Sequence, residues 1–119
     1  MYLLAYGTLK RNRNNHEYLN NATYMGNYYT SGDFTLIVSG LPFLVRRRSE
    51  RGVKGEVYKV NSDILRQIDK LEGHPSLYRR EVITVYNEDT KELLEVYTYT
   101  HPDIFNHNFE YDYKTCYEY

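Results

Sequence analysis

The chain predicts an α+β fold around a mostly antiparallel sheet or small barrel, on three observations. Short strand-like runs recur along its length, bounded by residues such as Gly, Pro, Asn, Asp and Ser. Only one stretch, residues 62–73, sustains a clear helical period. The 119 residues show no repeat and no linker, so 1–119 is a single domain, large enough for a core and too small for two.

Residues 1–6 form a compact apolar run ending at Gly7, a first strand meeting a loop. Residues 10–16 (KRNRNNH) are polar and turn-rich, and 16–22 predicts a short helix. Strand-type residues at 24–30 and 34–38 flank Ser31-Gly32-Asp33, which predicts a hairpin. The run 41–45 is a short strand in which Pro42 marks a start or an edge. Residues 53–60 alternate as a strand, and the helix 62–72 follows. The runs 80–86 and 94–100 form a final pair across the turn-prone Asn87-Glu88-Asp89-Thr90, and the tail from His101 onward has no decisive period.

The helix carries the most informative residue. Ile64, Leu65, Ile68 and Leu71 make its apolar side. At roughly 100° per residue, with Ile64 at zero, Leu71 falls at about −20°, Ile68 at about 40° and Leu65 at about 100°. Glu72 comes out at about 80°, inside the apolar stripe. It also lies in the last turn, where exposed carbonyls disfavour an anion. Burial and dipole both raise its pKa above the ordinary value of about 4.3, which suits a general acid/base working near neutral pH. The alternative is a helix one residue shorter, with Glu72 turned into water.

Composition narrows the classes. Apolar residues make up 41% of the chain, a normal globular value that argues against wholesale disorder. A net charge of −1 with mixed signs leaves no electrostatic footprint for nucleic acid or an anionic membrane. No apolar run approaches the roughly 20 residues of a spanning helix, and the start lacks a basic leader, so neither a membrane span nor a signal peptide is expected. Cys116 stands alone, which rules out a disulfide framework and makes the cytoplasm the simplest compartment. Tyrosine is over-represented, with 15 Tyr against four Phe and no Trp. A polar-lined cavity is one outcome of so many phenols, and codon bias toward Asn, Lys and Tyr is another.

Tyr6-Gly7-Thr8-Leu9 leaves the first strand as a loop. A glycine there permits unusual φ and close approach of a ligand, and successive N–H groups can form a concavity for an anion; an ordinary strand-terminating turn is the alternative. His16, His74, His101 and His107 have no metal-ligand spacing and read as structural or exposed, so no metal is expected. Arg46-Arg47-Arg48 with Arg51 and Lys54 reads as a solvated loop. Cys116 lacks the neighbours that would activate a thiol. No G-x-S-x-G elbow or phosphate-binding glycine loop is present. Tyr78-Arg79 follows Glu72 across Gly73-His74-Pro75-Ser76, a turn that either returns Tyr78 to the carboxyl or leaves it packed at the next strand.

In order and spacing, Tyr6-Gly7-Thr8-Leu9-Lys10, Asn15-His16, Pro42, Gly55-Glu56-Val57-Tyr58, Leu71-Glu72-Gly73-His74-Pro75 and Tyr78-Arg79-Arg80 resemble the gamma-glutamylcyclotransferase-like superfamily. The gamma-glutamylamine cyclotransferases are the nearest likeness, through Pro75-Ser76-Leu77-Tyr78-Arg79-Arg80. The resemblance spans about residues 2 to 100 and leaves 101–119 as an unaligned tail. Arg11-Asn12-Arg13 departs from the glycine-containing turn usual after the lysine. The resemblance implies a small mixed barrel with short flanking helices and no cofactor. It implies Glu72 as acid/base and the loop Tyr6, Gly7, Thr8, Leu9 as holder of the glutamyl head group.

On that likeness the expected chemistry is lactam formation. A γ-glutamyl amide folds back so that its α-amine attacks its own side-chain carbonyl, releasing 5-oxoproline and an amine. Tyr78, and Tyr97 from the last strand, are the candidates to hydrogen-bond this small-molecule substrate. The rival from another class is a non-catalytic protein that holds a small metabolite in the same cavity. A third reading makes the tail (Glu110, Tyr111, Asp112, Tyr113, Tyr117, Glu118 and Tyr119) an acidic-aromatic strip for a protein partner. The leaving amine and the oligomeric state are not legible.

Overall fold

The computed structural model describes residues 1–106 and 112–119. Its strands are β1 (Tyr2–Ala5), β2 (Thr23–Thr30), β3 (Thr35–Ser39), β4 (Leu41–Val45), β5 (Lys54–Lys59), β6 (Arg79–Asn87), β7 (Leu93–Thr100) and β8 (Lys114–Cys116). Among the described residues, one α-helix, α1 (Ser62–Glu72), and a 3-10 turn (His16–Leu19) complete the set. Five strands close a barrel in the order β1-β5-β2-β6-β7, and β4-β3-β8 form a separate small sheet. Within the barrel only β1 and β7 pair in parallel, with Leu3 opposite Tyr97. The architecture is the small, mixed, mostly antiparallel barrel with flanking short helices that the resemblance implies.

β1 shows no hydrophobic alternation because both its faces are buried. Leu3 and Ala5 pack beneath α1 with Ile64, Leu65, Ile68 and Tyr99. Leu4 and Tyr6 join Val57, Ile83, Val85 and Val96, together with Leu36 and Leu44 of the small sheet. β1 is thus shared by two cores, and the loop that leaves it emerges between them. Gly55 lets β5 pass close to β1: a Cβ there would stand 2.8 Å from the Ala5 carbonyl oxygen and 2.8 Å from a Leu4 methyl.

The helix has the predicted bounds, and its ends are capped. Asn61 accepts the Ile64 N–H at 2.9 Å, and Gly73 adopts a left-handed φ of 65° while the N–H groups of Gly73 and His74 return to Lys70 and Asp69. The predicted helix 16–22 is reduced to the 3-10 turn, ending before Asn20-Asn21, which favour turns over helix.

The hairpin expected across Ser31-Gly32-Asp33 does not form. Both edges of β2 are occupied, by β5 and β6, so β3 has no free edge to join. β3 instead reverses at Gly40, where φ is +73°, and pairs with β4. Pro42 sits on β4 at the edge of that sheet, where its missing N–H costs no ladder bond.

The tail adds β8, which pairs with β3, and several tyrosines in it are covered by arginines. Arg47 lies over Tyr113 at 5.4 Å, Arg51 over Tyr117 at 4.6 Å and Arg13 over Tyr119 at 4.2 Å. The expected acidic-aromatic strip is therefore interleaved with basic side chains of the body; its Glu110 and Tyr111, like His107, lie outside the described residues. No helix among the described residues is long and apolar enough to cross a membrane.

Candidate active site

The loop leaving β1 is pinned at several points. Lys10 N–H donates to the Gly7 carbonyl at 3.0 Å, and Asn15 N–H to the Thr8 carbonyl at 2.9 Å. The Asn15 amide donates to the Thr8 hydroxyl at 3.0 Å, and the His16 ring meets the Leu9 carbonyl at 2.9 Å. Lys10 is buried, and its ammonium donates to the main-chain oxygen of Tyr119 at 2.8 Å. The N–H groups of Gly7, Thr8 and Leu9 take no part in these turn bonds, so the loop can present them to a ligand. Gly7 needs no left-handed φ here. What requires glycine is Pro42, whose Cγ would lie 2.6 Å from a Cβ at position 7.

Glu72 faces this loop across a cavity of about 280 Å³. Tyr6, Gly7, Thr8, Leu9 and Asn15 line one side; Leu71, Glu72, Leu77 and Tyr78 line another, with Leu41, Pro42 and Tyr99 completing the wall. The helix wheel therefore places Glu72 correctly, on the inward side of the last turn. Its carboxyl has no hydrogen bond or ion pair among the described residues. Burial pushes its pKa up to about 7. The turn that follows brings Tyr78 back, with its N–H donating to the Glu72 carbonyl at 3.2 Å.

Three phenols surround the carboxyl, and each gives its proton to the protein. Tyr6 donates to the Tyr99 carbonyl at 2.7 Å, Tyr78 to the Pro42 carbonyl at 2.9 Å, and Tyr99 to Asp69 at 2.6 Å. Burial raises the pKa of all three, and the charge of Glu72 adds to the rise in each. They stay protonated near neutral pH, and with their hydrogens committed the oxygens of Tyr78 and Tyr99 meet a ligand as acceptors. Apolar and phenolic, with one ionisable acid and a loop of N–H groups, the cavity can accept a cation on one side and an anion on the other.

Of the predicted site residues, Tyr6, Gly7, Thr8, Leu9, Glu72 and Tyr78 line this one cavity. Tyr97 does not. It shares a strand face with Tyr99 but sits level with Leu3, two residues short of the loop, its ring under the Arg80 guanidinium at 5.0 Å. Tyr99 stands where Tyr97 was expected, and only the parallel register of β1 and β7 distinguishes the two. Asn15, Pro42, Leu71 and Leu77 belong to the quoted motifs without having been assigned a place at the site; Leu41 carries no signal beyond hydrophobicity. Among the described residues no three His, Cys, Asp or Glu side chains gather as a metal site would require. The basic run 46–54 is largely spent on carboxylates: Arg46 on Glu81, Arg47 on Asp103 and Lys54 on Glu88.

A family model described as gamma-glutamyl cyclotransferase, AIG2-like, matches residues 3–117. A Methanocaldococcus jannaschii protein, provisionally named a gamma-glutamylcyclotransferase, is 35% identical over 103 residues, 86% of this chain and 85% of its own length. The rat gamma-glutamylaminecyclotransferase is 34% identical over 93 residues, 71% of this chain; the match spans 62% of the rat protein. The crystal structure of a mouse AIG2-like protein superposes with a TM-score of 0.82 at 26% identity, covering 99% of this chain and 86% of the other.

Proposed function

The chain belongs to the gamma-glutamyl cyclotransferase, AIG2-like family, and from that premise we propose that it converts a γ-glutamyl amide, of the γ-glutamylamine type, into 5-oxoproline and a free amine without a cofactor. One observation carries the reading: the Glu72 carboxyl, raised to about 7 by burial, opens onto the cavity formed by the loop Tyr6-Gly7-Thr8-Leu9. A carboxyl so tuned exchanges a proton readily near neutral pH.

The substrate's α-ammonium group lies toward Glu72 and the acceptor oxygens of Tyr78 and Tyr99, while the N–H groups of Gly7, Thr8 and Leu9 hold its anionic end. Ionised Glu72 takes one proton from the ammonium. The freed amine attacks the γ-carbonyl carbon, a C–N bond closes the five-membered ring, and the carbonyl electron pair moves to oxygen. As the carbonyl re-forms, the bond to the original amide nitrogen breaks and that nitrogen receives the proton from Glu72. The second proton left on the ring nitrogen departs with the amine, released as its ammonium ion. Attack within one molecule reaches effective molarities on the order of 10⁵–10⁸ M when well aligned, so folding the substrate back and moving one proton are the main tasks.

The test is to incubate the purified protein with γ-glutamyl amino acids, γ-glutamyl-ε-lysine and glutathione and to look for 5-oxoproline by mass spectrometry. Release from at least one is expected, with Glu72→Gln slower by roughly 10²–10⁴-fold. Saturable binding by calorimetry with no lactam from any amide would identify a metabolite-binding protein instead.

A further inference from the structure

A second cavity, of about 330 Å³, lies beside the first, and Leu77 lines both. Tyr78 of the first also meets His101 of the second edge to face at 5.5 Å. Leu77 is 64% exposed, an apolar side chain left between the two. The cavities differ in chemistry. Where the first is apolar and phenolic, the second is walled by Arg46, Arg79, Glu81 and Asp103 with the Thr100 hydroxyl.

Both acids there are already engaged. Glu81 accepts from Arg46 at 3.1 Å and from Thr100, and Asp103 is gripped by Arg47 through bonds of 2.8 and 2.9 Å. Arg79 is different. Among the described residues its guanidinium has neither a hydrogen bond nor a carboxylate within ion-pair distance, and it acts on Glu81 only at longer range. Counting Arg47, which holds Asp103 from outside the lining, three guanidinium groups stand against two carboxylates, and Arg79 is the one left open to a ligand. Arginine suits a carboxylate, which its planar fork can bind through two parallel bonds.

We propose that this second cavity is the subsite for the departing half of the substrate and that Arg79 binds a carboxylate carried by that half. The inference rests on the cyclotransferase reading. With the glutamyl end in the first cavity and the scissile bond beside Glu72, the substituent on the leaving nitrogen crosses Leu77, which packs its aliphatic part, and brings its anionic end to Arg79. An amine that lacks the carboxylate loses that contact and keeps all the others.

The experiment compares γ-glutamyl amides of glycine, 4-aminobutyrate and 6-aminohexanoate with the matched amides of methylamine, propylamine and pentylamine, which differ only by the carboxylate. The ratio of kcat/KM within each pair is read for the wild type, Arg79→Ala, Arg79→Lys and Arg79→Glu, so a general loss of active protein cancels. At the length where the carboxylate reaches the cavity, Arg79→Ala should lower the ratio on the order of tenfold, as loss of a charge-assisted contact does. Arg79→Lys should restore part of it, and Arg79→Glu should favour the neutral amide. Lactam formation with the same ratio in wild type and Arg79→Ala at every length would overturn the subsite while leaving the cyclotransferase reading standing. Absence of 5-oxoproline from every amide would overturn both.

Discussion

Tyr99 donates a 2.6 Å hydrogen bond to Asp69, which stands one helical turn before Glu72 on α1. The other oxygen of Asp69 accepts from Arg80 at 2.8 Å, and the Arg80 main-chain N–H donates to His74 at 3.0 Å. A single carboxylate thereby ties the end of the helix to β6 and to β7, which contributes Tyr99 to the cavity wall. It also sets the direction of the Tyr99 hydroxyl, so that the phenol oxygen accepts from whatever occupies the site.

Asp69→Ala would leave a largely buried guanidinium and a phenol without their acceptor. The expected loss is about 2–4 kcal/mol in urea unfolding, the cost of breaking a paired charge by removing one partner. Asp69→Asn keeps an acceptor for Tyr99 and should cost less. A double-mutant cycle of Asp69→Ala with Tyr99→Phe should give a coupling energy of roughly 1 kcal/mol or more. Strict additivity would mean that the two side chains do not support one another.

The helix end was readable from the chain because its information is local. Apolar spacing placed Glu72 in the buried stripe, and the structure decides against the helix one residue shorter that the spacing left open. Strand existence was readable for the same reason. Strand partnership was not, because β1 finds β5 across nearly fifty intervening residues and β7 across many more, and nothing in 31–33 discloses that both edges of β2 are already occupied. Tyr97 and Tyr99 show the limit at the site itself. Alternation assigns both to one face, but only the pairing of Leu3 with Tyr97 decides which of them reaches the loop. β8 escaped because three residues are too few to display a period.

Burial of Glu72 makes stability depend on pH in a direction opposite to that of a salt-bridged carboxylate. Its pKa rises from near 4.5 in the unfolded chain to about 7 in the fold. Between those values the folded form holds a proton that the unfolded form has lost, so stability falls as pH rises through the window. Below about pH 4 the acid is neutral in both states and the penalty vanishes. Glu72→Gln, which cannot ionise, should match the wild type near pH 4 and exceed it at pH 8 by about 1–3 kcal/mol, less than full burial would give because the group is partly exposed. Urea unfolding at the two pH values measures this. A Gln variant no more stable than wild type at pH 8 would show that the carboxylate is well solvated in the fold.

Gly7 gives a sharper test of how the loop is held. Its backbone is not left-handed, so alanine meets no conformational barrier, only the Pro42 ring at 2.6 Å from the new Cβ. That ring sits on β4, whose own position is fixed by pairing with β3, and it has little room to retreat. Gly7→Ala should therefore cost about 1–3 kcal/mol by overpacking and push the loop away from the cavity. If the contact is the cause, Pro42→Ala removes the offending Cγ and leaves a Cβ at 3.2 Å, so the double variant should recover a substantial part of the loss. A strained backbone would respond differently, since trimming Pro42 cannot relieve a torsional penalty. The two causes therefore separate in one thermal-unfolding comparison of the wild type, both single variants and the double, and a double variant no more stable than Gly7→Ala would exclude the Pro42 contact as the reason for glycine at this position.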